Sequence, residues 1–132
     1  MRTCLAAAGV SLAVWSAPLA SAETVVLPEL HDAAGVVFVD DPAIVDAHPM
    51  QAESFSRTPV DRAIAVHFTT GTPECYGVSA AVTETVDTVS VELRSGTPPE
   101  AVGRACIMIA VSGTLEVPLS GPLGERQVLS VS

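Results

Sequence analysis

Tyr76-Gly77-Val78-Ser79-Ala80-Ala81-Val82-Thr83, followed after a short break by Val89-Ser90-Val91-Glu92-Leu93-Arg94, is the stretch on which the fold turns. In the first run Tyr76, Val78, Ala80 and Val82 alternate with Gly77, Ser79, Ala81 and Thr83. In the second, Val89, Val91 and Leu93 alternate with Ser90, Glu92 and Arg94. A period of two sends successive side chains to opposite faces, so each run is a half-buried strand. The break near residues 85–87 is short enough for the second strand to fold back on the first, as an antiparallel hairpin.

The flanking segments extend this pattern. Ile64, Val66 and Phe68 alternate with Ala63, Ala65 and His67, a further half-buried strand, and Thr70-Gly71-Thr72-Pro73 is a turn. Residues 35–39 form a short apolar run, a buried strand that Asp40-Asp41-Pro42 ends with turn chemistry. Residues 43–47 suit a short strand or one helical turn, and residues 49–60, with Pro49 and Pro59, read as irregular or edge-like. Residues 95–103 hold Gly96, Pro98, Pro99 and Gly103 and form a loop. Cys106-Ile107-Met108-Ile109-Ala110-Val111 is continuously apolar, as for a strand covered on both faces, with a buried helical turn as the alternative. Ser112-Gly113 allows a bend or bulge. Leu115, Val117 and Leu119 resume the alternation, residues 121–124 turn, and residues 126–131 are a last strand. No segment carries a capped helical period. The expected fold is all-β: an antiparallel β-sandwich or small open barrel with one disulfide.

Export explains the disulfide. Arg2, an apolar stretch from Leu5 to Trp15 and the small-residue motif Ala20-Ser21-Ala22 make residues 1–22 a signal peptide. The stretch is short for a bilayer core, which takes about 20 residues; an uncleaved anchor is the alternative. Cys4 precedes the apolar run, so it is not the acylated first residue of a mature lipoprotein. Cleavage leaves residues 23–34 as a flexible leader and residues 35–132 as a single β-domain, secreted and without stable membrane insertion. Of three cysteines only Cys75 and Cys106 remain, and an oxidising compartment favours their pairing. Free thiols or an intermolecular bond are the alternatives. The bond would close a loop of 31 residues, worth about 3–4 kcal/mol by chain entropy.

Composition narrows the function classes. After cleavage five arginines, at 57, 62, 94, 104 and 126, face fifteen carboxylates, a formal charge of −10, and there is no lysine or asparagine. Such a surface repels nucleic acid and anionic lipid. Lysine chemistry is excluded. With Trp15 gone, the aromatics are Phe38, Phe55, Phe68 and Tyr76, a poor supply for a sugar platform.

Four strings look familiar: Thr70-Gly71-Thr72-Pro73-Glu74-Cys75-Tyr76-Gly77-Val78, Val82-Thr83-Glu84-Thr85, Gly103-Arg104-Ala105-Cys106-Ile107 and Pro118-Leu119-Ser120-Gly121-Pro122-Leu123-Gly124-Glu125-Arg126. Over residues 40–132 the chain resembles small exported proteins, often lipoproteins, of high-GC Gram-positive bacteria with no established function. The resemblance implies a disulfide-linked extracytoplasmic domain. This chain departs from the lipoprotein members in lacking an acylatable cysteine at the cleavage site.

No catalytic constellation emerges. His31, His48 and His67 have no metal-ligand spacing, and Asp40, Asp41 and Asp46 lack the spacing of a calcium loop. Asp46 and His48 form at most a weak acid–base or metal pair. Glu84 and Glu92 face each other if the hairpin register allows. Gly77-Val78-Ser79 begins like a nucleophile elbow but lacks its second glycine. Cys75 as a nucleophile with His67 as base is incompatible with a disulfide. Arg126 is placed to pin the 121–124 turn to Glu125 or another acid. The expectation is a non-catalytic domain without catalytic residues, metal or cofactor. Its role is to bind a protein or envelope component, or to serve a structural purpose there. The candidate interaction loops are Thr70, Gly71, Thr72, Pro73 and Glu74, and Thr97, Pro98, Pro99 and Glu100. A secreted protease inhibitor using residues 97–101 is the first alternative, and a small hydrolase dependent on His67 or Asp46 the second.

Overall fold

A computed structural model describes residues 9–14 and 23–132. Residues 1–8 and 15–22 of the expected signal peptide, with Cys4 and the Ala20-Ser21-Ala22 motif, lie outside the described residues. Nine strands follow in order: β1 (Thr24–Val26), β2 (Val36–Phe38), β3 (Val45–Met50), β4 (Ser54–Arg57), β5 (Ala63–Thr70), β6 (Gly77–Glu84), β7 (Thr88–Thr97), β8 (Val111–Pro118) and β9 (Gln127–Val131). The only helical turn among the described residues is a 3-10 turn at Pro99–Ala101. The chain is all-β and carries the Cys75–Cys106 disulfide.

The expected hairpin is the centre of the first sheet. β6 and β7 pair antiparallel, with Val82 opposite Val91 and Ala80 opposite Leu93. The other edge of β7 is shared in tandem: β9 runs parallel to residues 88–91, and β3 antiparallel to residues 93–97. β1 adds antiparallel to β9. The second sheet has the order β2-β8-β5-β4. Its pairs are antiparallel except β2 with β8, so the fold carries two parallel pairs that an all-antiparallel expectation does not contain. Ile64, Val66, Phe68, Leu115 and Val117 of the second sheet meet Val78, Val89, Val91, Leu93 and Val128 of the first in one core. Each residue of this set that is fully buried contributes about 1.5–3 kcal/mol.

Several segments differ from expectation, each for a local reason. Of residues 23–34, expected as a flexible leader, residues 23–30 pack onto the domain. Leu27 is buried, and its N–H donates to Val128. Leu30 N–H then donates to the Phe55 carbonyl, and Phe55 N–H to that of Pro28. The segment thereby joins the β9 side of one sheet to β4 of the other and covers both edges. On the opposite flank, Asp41 N–H donates to the Val78 carbonyl and the Asp40 carboxylate accepts Ala80 N–H. Gly113 causes no bend: β8 keeps register with β5 throughout. Its missing side chain makes room for Phe38 and Phe68, which pack edge to face at 5.4 Å, since a Cβ there would meet both rings. Residues 49–60 contain Pro49 and Met50 of β3, a strand at the end of its sheet where proline is tolerated, and all of β4.

The largest departure is Cys106 to Ala110. This apolar run is not a buried strand. β5 ends at Thr70, opposite Val111, and the chain then turns away. Residues 105–110 therefore have no strand to pair with, and all are exposed.

Candidate functional site

The exposed run stands at one end of the sandwich, where three loops converge. The first leaves β5 and turns at Thr72, whose carbonyl accepts the N–H groups of Cys75 and Tyr76. Gly71 lies beneath the Tyr76 ring, where any Cβ would collide with it. Cys75 is buried; Cys106, 6.0 Å away between Cα atoms, is exposed. The second loop leaves β7 at Thr97 and folds as the 3-10 turn, in which Pro98 and Ala101 are buried while Pro99 and Glu100 are exposed. The third, residues 102–110, is exposed along its whole length and runs from Arg104 to Ala110 without a turn or a bend.

Both candidate interaction loops meet here. Pro73 from the first and Pro98 and Glu100 from the second line a cleft of about 240 Å³, shared with Val37, Val39 and Tyr76. Thr70 and Gly71 line a neighbouring cleft of about 270 Å³, with Tyr76, Met108, Ile109 and Ala110. Tyr76 is the wall between the two, and its hydroxyl donates to Met108 Sδ at 3.8 Å. Thr72 and Glu74 line neither cleft; Glu74 is exposed on the same loop. The third loop supplies the apolar surface that the sequence reading missed: Ile107 is 63% exposed, Met108 89% and Ile109 52%. Val37 of β2 and Val39, just past its end, extend it. A contiguous apolar surface of this kind marks an interaction site more often than chance. One signal pointed to it. The alternating part of β8 already matches β5 residue for residue, so the strand is complete without residues 106–110.

The other candidate groups are committed elsewhere. Ser56 Oγ lies 2.7 Å from His67 Nε2, a hydroxyl–imidazole pair that sequence spacing did not reveal. The Ser56 hydroxyl donates to the Leu30 carbonyl at 2.6 Å, so the imidazole N–H is the donor to Ser56. That is the reverse of what a general base requires. Both residues are buried, and desolvation lowers the His67 pKa, keeping the ring neutral. Asp46 sits at a β-bulge with φ of 55°, and the nearby His48 ring contacts the Asp46 main-chain carbonyl, not its carboxylate. Asp46 and His67 belong to different sheets. Among the described residues no three metal-ligating side chains cluster. Ser79 is an ordinary β6 residue, and Cys75 is oxidised.

Glu84 does not face Glu92: the hairpin sets Glu84 opposite Val89 and Glu92 opposite Ala81. Instead Glu84 accepts Ser120 N–H at 2.7 Å and pairs with Arg126 at 3.1 Å. The Ser120 N–H contributes most, with the Ser120 hydroxyl, Arg126 and the Gly121 N–H, to pulling the Glu84 pKa down to about 2. The same Arg126 guanidinium donates to the carbonyls of Thr85, Gly121 and Pro122. A broad, shallow hollow of about 600 Å³ lies over this corner, but its polar groups already satisfy one another. It holds the end opposite the disulfide together. No helix among the described residues is long and apolar enough to cross a membrane. No protein-family model, curated protein or solved structure matches the chain.

Proposed function

We propose that the chain is exported, loses its signal peptide and acts as a non-catalytic domain that binds a protein partner at the cell envelope through its disulfide end. One observation carries this reading: the Ile107-Met108-Ile109 crest places three large apolar side chains in water. A chain that can bury comparable residues completely at Ile64 and Leu93 leaves these out. The disulfide supports export, since such bonds persist in oxidising compartments. The two clefts beside Tyr76 supply shape, Glu100 lines one of them, and Glu74 and Arg104 are exposed charges on the adjoining loops.

Residues 97–101 do not favour an inhibitor loop at that position. Their 3-10 turn is compact, with Pro98 and Ala101 buried, whereas a protease cleft takes an extended segment. The reading is tested by placing a photo-crosslinking amino acid at position 108, and as a control at the exposed Glu92 of β7, in cells exporting the chain. A discrete adduct is expected from position 108 only, and it should weaken on Ile109→Asp. Equal adducts from both positions, or none from position 108, would refute the docking assignment.

A further inference from the structure

We propose that residues 105–109 form a substrate-like loop that occupies the cleft of an extracellular endopeptidase with an apolar primary pocket, Met108 filling that pocket. The proposal rests on the docking reading above and names the class of partner. Backbone shape is its first support. The segment is unbent, and among the described residues the N–H and C=O groups of residues 105–109 make no hydrogen bond. An extended segment with both main-chain edges free is what strand addition in a peptide-binding cleft consumes, with pockets taking alternate side chains.

Side-chain placement is the second support. Met108 is the most exposed residue of the crest, and its unbranched thioether adapts to a deep apolar slot. Anchoring is the third. Two residues before Met108, Cys106 is bonded to the buried Cys75, and three residues after it β8 begins against β5. Such tethering lowers the ordering cost of binding. It also keeps both halves of the segment attached to the domain if the bond after Met108 is cut, the property that separates an inhibitor from a substrate.

Other occupants fit less well. The unpaired main-chain groups are penalised in hydrocarbon, and a formal charge of −10 is repelled by anionic headgroups. Pairing with a second copy would bring two such charges together.

The exported chain should be titrated against a chymotrypsin-like enzyme, a subtilisin-like enzyme and trypsin, reading residual activity on a small chromogenic substrate. Near-stoichiometric inhibition of at least one of the first two is expected, with trypsin spared. Met108→Lys should transfer inhibition to trypsin, whose pocket carries a carboxylate. Met108→Asp should weaken inhibition of the apolar-pocket enzyme at least about 100-fold, because it buries an unpaired charge. Rapid cleavage within residues 107–109 without inhibition, indifference of all three enzymes, or inhibition unaltered by Met108→Asp would each overturn the proposal. So would a dimer in sedimentation that Met108→Asp dissolves. A crosslinked partner that is not a protease would end the inhibitor assignment and leave docking intact, whereas no adduct at all would end both.

Discussion

The two ends of the sandwich are held by opposite means. At the end where β6 finishes and β8 runs out, Arg126 and Glu84 gather Thr85, Ser120, Gly121 and Pro122 into one polar corner. At the end where β6 and β8 begin, the main-chain groups of residues 105–109 form no hydrogen bond among the described residues, and the segment is fixed by a disulfide. A hydrogen-bonded corner uses up its donors and acceptors in staying folded. A covalent tether fixes a segment while leaving its main chain and side chains available to a partner. The contrast separates the part of the molecule that serves stability from the part free to bind.

Breaking either tether measures that contrast. Replacing both cysteines, Cys75→Ser with Cys106→Ser, should cost about 3–4 kcal/mol in urea unfolding, since it returns loop entropy to the unfolded chain. A loss below about 1 kcal/mol would show that the bond adds little to the fold. Arg126→Ala should cost about 2 kcal/mol, because it removes a largely enclosed guanidinium that pairs with Glu84 and donates to the carbonyls of Gly121 and Pro122. A smaller, pH-dependent effect belongs to Glu84, whose ordinary pKa of 4.5 is drawn down to about 2. Its contribution is fully present above pH 4.5 and is lost as the pH falls toward about 2. Urea midpoints between those values should therefore fall less steeply in Glu84→Gln than in the parent; an identical slope would remove Glu84 from the account. Smallest of all, Ile107→Ser with Ile109→Ser should change stability by less than about 0.5 kcal/mol, as for surface positions. A cost of about 2 kcal/mol or more would mean that these side chains are packed.

Much of this was legible in the residues. The hairpin, β5 and the pairing of Cys75 with Cys106 followed from alternation and from counting thiols. Arg126 as the clasp of its turn followed from its place just after residues 121–124 in an acidic chain, though its partner is Glu84 rather than Glu125. Three things were hidden because they are long-range. The N-terminal residues look patternless, yet Leu27 is buried because two sheet edges need covering. The Ser56–His67 pair depends on the β4–β5 register. The run from Cys106 to Ala110 has core composition, but burial requires a neighbouring strand, and β5 has already ended.

Everything assigned to the disulfide end assumes that its apolar main chain is unpaired in the free protein. Hydrogen exchange resolved to single amides tests this directly: the amides of residues 106–109 should exchange near the rate of unstructured peptide, while those of Val91 and Leu93 stay protected. Protection of Met108 and Ile109 matching that of Val117 would contradict it, for the crest would then be a strand already in use.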